Sequence, residues 1–284
     1  VPRRRQNIST LLMALLLPWA VFAVVFAVMS FTLHYKMPQL CYVVIFGGFV
    51  LVLYFGFRAV DAVRKRDQGR DPTWLLFLFF TGLLGLISGA LCGNVNYFKN
   101  MQPFYDILNL AVYHGIDPAA TRGQQMMDAG RIIFRHGTGL DIRRSMAFRN
   151  LDTYCVAPIT TVYKNGTVDE LPNYDFWAVG LNCCSETNGF RCGEFNNPQA
   201  RAGLRLMRDD LRSFYRLAVQ QAEAAYGIKA VHPMFVYWMQ DPLNEVHAYE
   251  DDGYKYFTLG TAGYFIVQLF LVIMASLLAA KTNY

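Results

Sequence analysis

The chain has 284 residues, of which 54% are hydrophobic and 17% charged, against roughly 25% charged in a typical soluble domain. The deficit is uneven: residues 11–57 carry one charge, Lys36, and residues 73–93 and 257–280 carry none. This excludes a cytosolic globular enzyme, a disordered chain and a nucleic-acid-binding domain, and points to a membrane protein with one large polar block.

Four apolar runs, 11–33, 39–57, 73–93 and 257–280, reach the roughly 20 residues that a helix needs to cross a bilayer. Lipid offers no hydrogen bonds to the backbone, so each is expected to be helical. The first run follows Arg3, Arg4 and Arg5. A signal peptide has the same flank, but the run is long for one and no clear small-x-small cleavage site follows it. The chain begins at Val1, so a missing or processed N-terminus is expected. Pro18 should kink this helix, because it removes one backbone donor. His34 sits at its end, a candidate for an interhelical hydrogen bond or a pigment ligand. The second run carries Gly47, Gly48 and Gly56, and the basic loop 58–72 follows.

The third run carries Gly85, Gly89 and Gly93, spaced four apart, with Ser88 beside them. Such a stripe lets helix backbones approach closely. Gly85, Gly89, Gly93, Gly47 and Gly48 are therefore expected to pack, either inside the bundle or against another subunit. In the fourth run Gln268 is the most polar deep residue, and an intramembrane amide needs a partner. Either a neighbouring helix or a pigment magnesium would serve. No Asp, Glu, Lys or Arg lies mid-membrane, which argues against ion-coupled transport.

Charge sets the expected orientation. The N-terminus, the 58–72 loop and the 281–284 tail together carry +6, the turn at 34–38 carries +1, and the block 94–256 carries −2. Short Lys/Arg-rich loops stay cytoplasmic, so the block should be lumenal or extracellular. The net +5 is thus a topology signal.

Segment 94–128 reads as irregular to helical. Residues 131–135, 140–148, 153–163, 174–183 and 231–239 read as strands. A long helix is expected from Asn197-Pro198 to Tyr226, ended by Gly227, with Leu204, Met207, Leu211, Phe214, Leu217 and Val219 on an apolar face and Arg205, Arg208, Arg212 and Arg216 on another. The expected fold is therefore four transmembrane α-helices plus an α+β lumenal or extracellular domain. Its Cys155, Cys183, Cys184 and Cys192 suit two disulfides in an oxidising compartment. One of the adjacent pair would join Cys155 and the other Cys192. A zinc site completed by His136 or His232 is the rival, but the C-C-x7-C spacing fits no common zinc pattern, and no metal is expected. Asn165-Gly166-Thr167 is a glycosylation sequon and also a hairpin turn signal. Asn7-Ile8-Ser9 matches the sequon too, but on the expected inner side.

No phosphate loop, HExxH or G-x-S-x-G occurs. Asp209-Asp210 and Glu250-Asp251-Asp252 read as solvated faces, and the histidines are scattered, so no enzyme is indicated. The polar run Arg122–Arg131 could bind a partner or merely connect two elements.

Several stretches carry a resemblance: Asn96-Tyr97-Phe98 with Met101-Gln102-Pro103-Phe104-Tyr105-Asp106, Gly123–Arg131, Asn150–Ile159, Phe176–Gly180 with Asn182-Cys183-Cys184, and His232–Trp238. Together they resemble a family of multi-span membrane proteins abundant in dinoflagellate algae, across roughly 94–256. That family has no assigned activity, so no catalytic residue carries over. The resemblance implies a photosynthetic protist and an accessory subunit of a photosystem supercomplex in a thylakoid, with membrane lipid and other membrane-protein subunits as partners. Chlorophyll, carotenoid or lipid would then be the cofactors to expect, and no nucleic acid. Two rival functions stand beside it: a surface or endomembrane protein with a ligand-binding, disulfide-stapled ectodomain, and a lumenal enzyme.

Overall fold

A computed structural model describes residues 8–64, 72–163, 167–185 and 189–282. The chain divides into two compact units, Val1–Pro103 with Tyr249–Tyr284, and Phe104–Ala248.

Helix α1 spans Ile8–Ser30, α2 Thr32–Lys36, α3 Pro38–Arg64 and α4 Thr73–Asn96. A π-helical turn, Tyr97–Met101, joins α4 to α5, Gln102–Leu108. The last helix, α7, runs Pro242–Thr282, so it begins 15 residues before the apolar run at 257. Among the described residues, four helices are long and apolar enough to cross a membrane.

Within the first unit, the glycines of α4 lie against the backbone of α1. A Cβ on Gly85 would stand 2.8 Å from the Pro18 carbonyl oxygen, one on Gly89 2.8 Å from that of Phe22, and one on Gly93 3.1 Å from that of Phe26. Carbonyls spaced by four thus face glycines spaced by four, and any side chain would force the helices apart. Helix α3 meets α4 less intimately, with Gly48 under Leu86 and Gly56 under the Phe79 ring. Aromatic rings hold α7 to α1: Phe22 stacks on Tyr264 at 4.2 Å and Phe26 meets Phe257 edge-on at 5.0 Å. Gly260 leaves room for the Phe26 ring.

The second unit is built on an eight-stranded mixed sheet. Its strands are β1 Ala111–Ile116, β2 Ala129–Phe134, β3 Thr138–Leu140, β4 Met146–Asn150, β5 Asp152–Thr161, β6 Phe176–Leu181, β7 Ala202–Arg205 and β8 Met234–Met239. Their order is β1-β2-β7-β8-β6-β5-β3, with β4 also paired to β5. Alternation divides the side chains between two faces. Tyr154, Val156, Trp177, Val179 and Phe235 pack with Tyr215, Ala218 and Ala222 of helix α6, Asp209–Tyr226. Cys155, Ala157, Phe176, Ala178, Val236 and Trp238 face the other way, where Phe190, Cys192 and Ala200 cover them. One face is therefore closed by a helix and the other by a stapled loop.

Three expectations are corrected. The helix expected from Asn197-Pro198 does not start there: residues 202–205 form β7, and α6 begins at Asp209. Gly203 explains this, because a Cβ there would stand 2.6 Å from Val236 Cγ2; the bare backbone slots into the sheet beside β8. Asn197 instead caps a turn, accepting from Gln199 N at 2.9 Å. The expected C-terminal stop is present, with Gly227 left-handed at φ +65°. Segment 94–128 contains a strand, β1, paired parallel to β2. Residues 140–148 are split by a 3-10 turn, Ile142–Arg144, between β3 and β4.

Candidate functional site

The four cysteines form two disulfides, Cys155–Cys184 and Cys183–Cys192. The Sγ atoms of Cys155, Cys183 and Cys192 lie within 4.8 Å of one another. That proximity follows from two neighbouring disulfides, whose sulfurs are not thiolate ligands. Gly180 lies beneath them, where a Cβ would be 2.5 Å from Cys183 Sγ. Neither histidine considered as a zinc ligand joins the cluster: the His136 ring bonds the Arg201 guanidinium at 2.5 Å, and His232 lies at the cleft described below.

Among the residues of the four apolar helices, Gln268 is fully buried and its Nε2 donates to Ala14 O at 2.7 Å. Its Oε1 has no hydrogen-bond partner among the described residues. The His34 ring bonds Met29 O through Nδ1 at 2.8 Å and lies 4.0 Å from the Tyr97 ring. Gly85, Gly89 and Gly93 are occupied by α1, and Gly48 by Leu86, whereas Gly47 faces open space. Asn165 lies outside the described residues. On either side of it Val162 pairs antiparallel with Val168, and Tyr163 N donates to Thr167 O at 2.9 Å.

The sheet domain carries one cleft of concentrated charge, of about 210 Å³. Arg205 enters it from the end of β7, and Arg212 and Arg216 from consecutive turns of α6. The opposite wall is the 3-10 turn Gly123–Met126 with Met127, and the segment His232-Pro233 before β8. Leu206, Met234 and Phe235 supply an apolar floor.

Asp175 fixes that opposite wall. Its side chain is buried, and its oxygens accept from Gly123 N at 3.0 Å, Val231 N at 3.1 Å and His232 N at 3.1 Å. One carboxylate thus ties two segments that are 108 residues apart, counting from Gly123 to Val231. Gly123 is required by the same packing: a Cβ would run into the His232 carbonyl and lie 3.2 Å from Asp175 Cβ.

Among the described residues, no carboxylate, hydroxyl or thiol side chain lines the cleft. Arg205 donates to Met127 O and Ala129 O, which anchors it to the far wall. Burial, and next the like charge of Arg212, lower its guanidinium from the ordinary value. Arg212 pairs with Asp209 at 2.9 Å. Arg216 is exposed and has no ion pair among the described residues. Such a wall can bind an anion through charge-assisted, forked hydrogen bonds.

The sequence marks the individual members, since the four arginines 205, 208, 212 and 216 and the run 122–131 stand out there. It does not bring them together. Arg208 turns away from the cleft group and pairs with Asp210 at 2.6 Å. No protein-family model, no curated protein and no solved structure matches the chain.

Proposed function

We propose that this is a membrane-anchored, non-catalytic binding protein whose sheet domain takes up an anionic group carried by a ligand or partner. The observation that carries the reading is the cleft lining, in which Arg205, Arg212, Arg216 and His232 are the ionisable side chains. Its side chains fit binding better than catalysis, because arginines hold charge and position oxygen atoms. The domain is read as lumenal or extracellular. The charge asymmetry of the flanking segments and the two disulfides support that side. The test is a thermal melt of the purified protein in detergent across a panel of small anions. Stabilisation that is abolished by Arg216→Gln is expected; equal melts with every anion would overturn the reading.

A second reading has its own observation. Tyr42, Val43, Phe46 and Phe57 on α3 are each more than 60% exposed, and Gly47 among them faces open space. This suits an accessory subunit docking α3 on a neighbouring membrane protein, with a photosystem supercomplex in a thylakoid as the assembly that the family resemblance favours. Migration on a native gel as a lone 32.4 kDa chain would sink it.

A further inference from the structure

We infer that the group bound in the arginine cleft is a phosphoryl dianion of the phosphate monoester class; this rests on the anion-binding reading above. Charge counting points there first. Asp209 offsets Arg212 and Asp128 also acts on Arg205, whereas Arg216 has no ion pair among the described residues; the three guanidiniums that line the cavity still outnumber the two carboxylates set against them. A phosphate monoester carries about −1.5 to −2 at neutral pH, whereas a carboxylate carries one charge, so the phosphoryl group neutralises the crowded guanidiniums further.

Donor geometry points the same way. The three arginines approach from two elements, β7 and α6. A planar carboxylate accepts one fork well. A tetrahedral phosphoryl group presents three oxygens in different directions and can meet forks from both elements. Arg212 and Arg216, at i and i+4 on α6, also repel each other, as does the Arg205–Arg212 pair. A bound dianion relieves both.

Size and floor restrict the remainder of the ligand. At about 210 Å³ the cleft falls below the roughly 300–1,000 Å³ of sites that enclose a drug-sized ligand. It therefore holds the head group and leaves the rest outside. Leu206, Met234 and Phe235 have no polar side-chain atoms, so the floor itself reads no base or sugar.

Isothermal titration of the full chain in detergent, at fixed ionic strength, compares inorganic phosphate, glycerol 3-phosphate and acetate. Both phosphate species are expected to bind at least about tenfold tighter than acetate, and the tighter of the two tells a free ion from an ester. Arg216→Gln should weaken phosphate by about tenfold or more, the loss expected from one charge-assisted bond, and Arg216→Lys should recover only part. Arg143→Gln, on an arginine that does not line the cleft, should change nothing; an equal loss there would reduce the effect to bulk surface charge and overturn the site. Acetate binding as tightly as phosphate would overturn the phosphoryl assignment and leave the anion reading standing. No heat with any of the three, in a chain whose near-ultraviolet spectrum shows it folded, would overturn both.

Discussion

Gln268 Nε2 lies 2.7 Å from Ala14 O, the carbonyl four residues before Pro18. In an α-helix that oxygen accepts from residue 18, and proline has no N–H to give. In lipid an unmet carbonyl is costly. The side chain of α7 thus supplies the bond that the backbone of α1 lacks, and the two residues form one device.

That device predicts a coupling. Gln268→Leu should destabilise the helical unit by about 0.5–2 kcal/mol, the range of interhelical hydrogen bonds in membranes. In a Pro18→Ala background, where residue 18 again donates to Ala14 O, the same change should cost much less. A double-mutant cycle on unfolding in detergent checks this, and additive losses would refute it.

The glycine positions should separate sharply. Gly89→Leu places atoms against the Phe22 carbonyl, 2.8 Å from the first Cβ position, and should cost about 3 kcal/mol or more by overpacking. Gly47→Ala, in open space, should be neutral or stabilise by up to about 1 kcal/mol through helix propensity. Comparative detergent melts decide. If Gly47→Leu left stability intact but broke a native complex, α3 would be the docking face.

The two disulfides should contribute unequally. Cys155–Cys184 closes a loop with a sequence separation of 29, and Cys183–Cys192 one of 9. Loop-closure entropy then gives about 3.6 kcal/mol for the first and about 2.7 kcal/mol for the second. Paired serine substitutions, each followed by denaturant unfolding of the domain signal, should show the larger loss at Cys155 and Cys184.

Asp175→Ala leaves the backbone donors of Gly123, Val231 and His232 unmet. A loss of about 3 kcal/mol or more is expected, since each buried donor left bare costs about 1–3 kcal/mol. Anion binding should weaken along with stability, because both segments held by Asp175 form one wall of the cleft. Arg216→Gln should weaken binding alone. Melting and titration of the two variants side by side separate a wall from a ligand contact.

The four apolar helices were legible because charge is absent from their runs, and Gly85, Gly89 and Gly93 mark where α4 meets α1. The strands β5 and β6 were legible from their β-branched and aromatic content, and Gly227 marked the end of α6. Residues 202–208 misled for a specific reason. Arg205, Arg208, Arg212 and Arg216 are spaced by three or four, which reproduces a helical face although Arg205 lies in a strand. The choice was made by tertiary packing, in which Gly203 pairs with Trp238 of β8, and no local pattern reports that. Strand β1 was missed likewise, since its only ladder is parallel to β2 across a 3-10 turn. The cleft depends on the same β7–β8 pairing, so its members were visible and their convergence was not.

The strand order has a consequence for synthesis. Strands β7 and β8 come last in sequence among the strands but lie between β2 and β6 in the sheet. Until residue 239 has left the ribosome, the domain can be only two separate ribbons, β1–β2 joined by β7, and β3 to β6, each with one raw edge where β8 belongs. Those edges are templates for mispairing. A nascent chain stalled before β8 would therefore be both incomplete and adhesive, and the arginine cleft would come into being only when the last strand arrives.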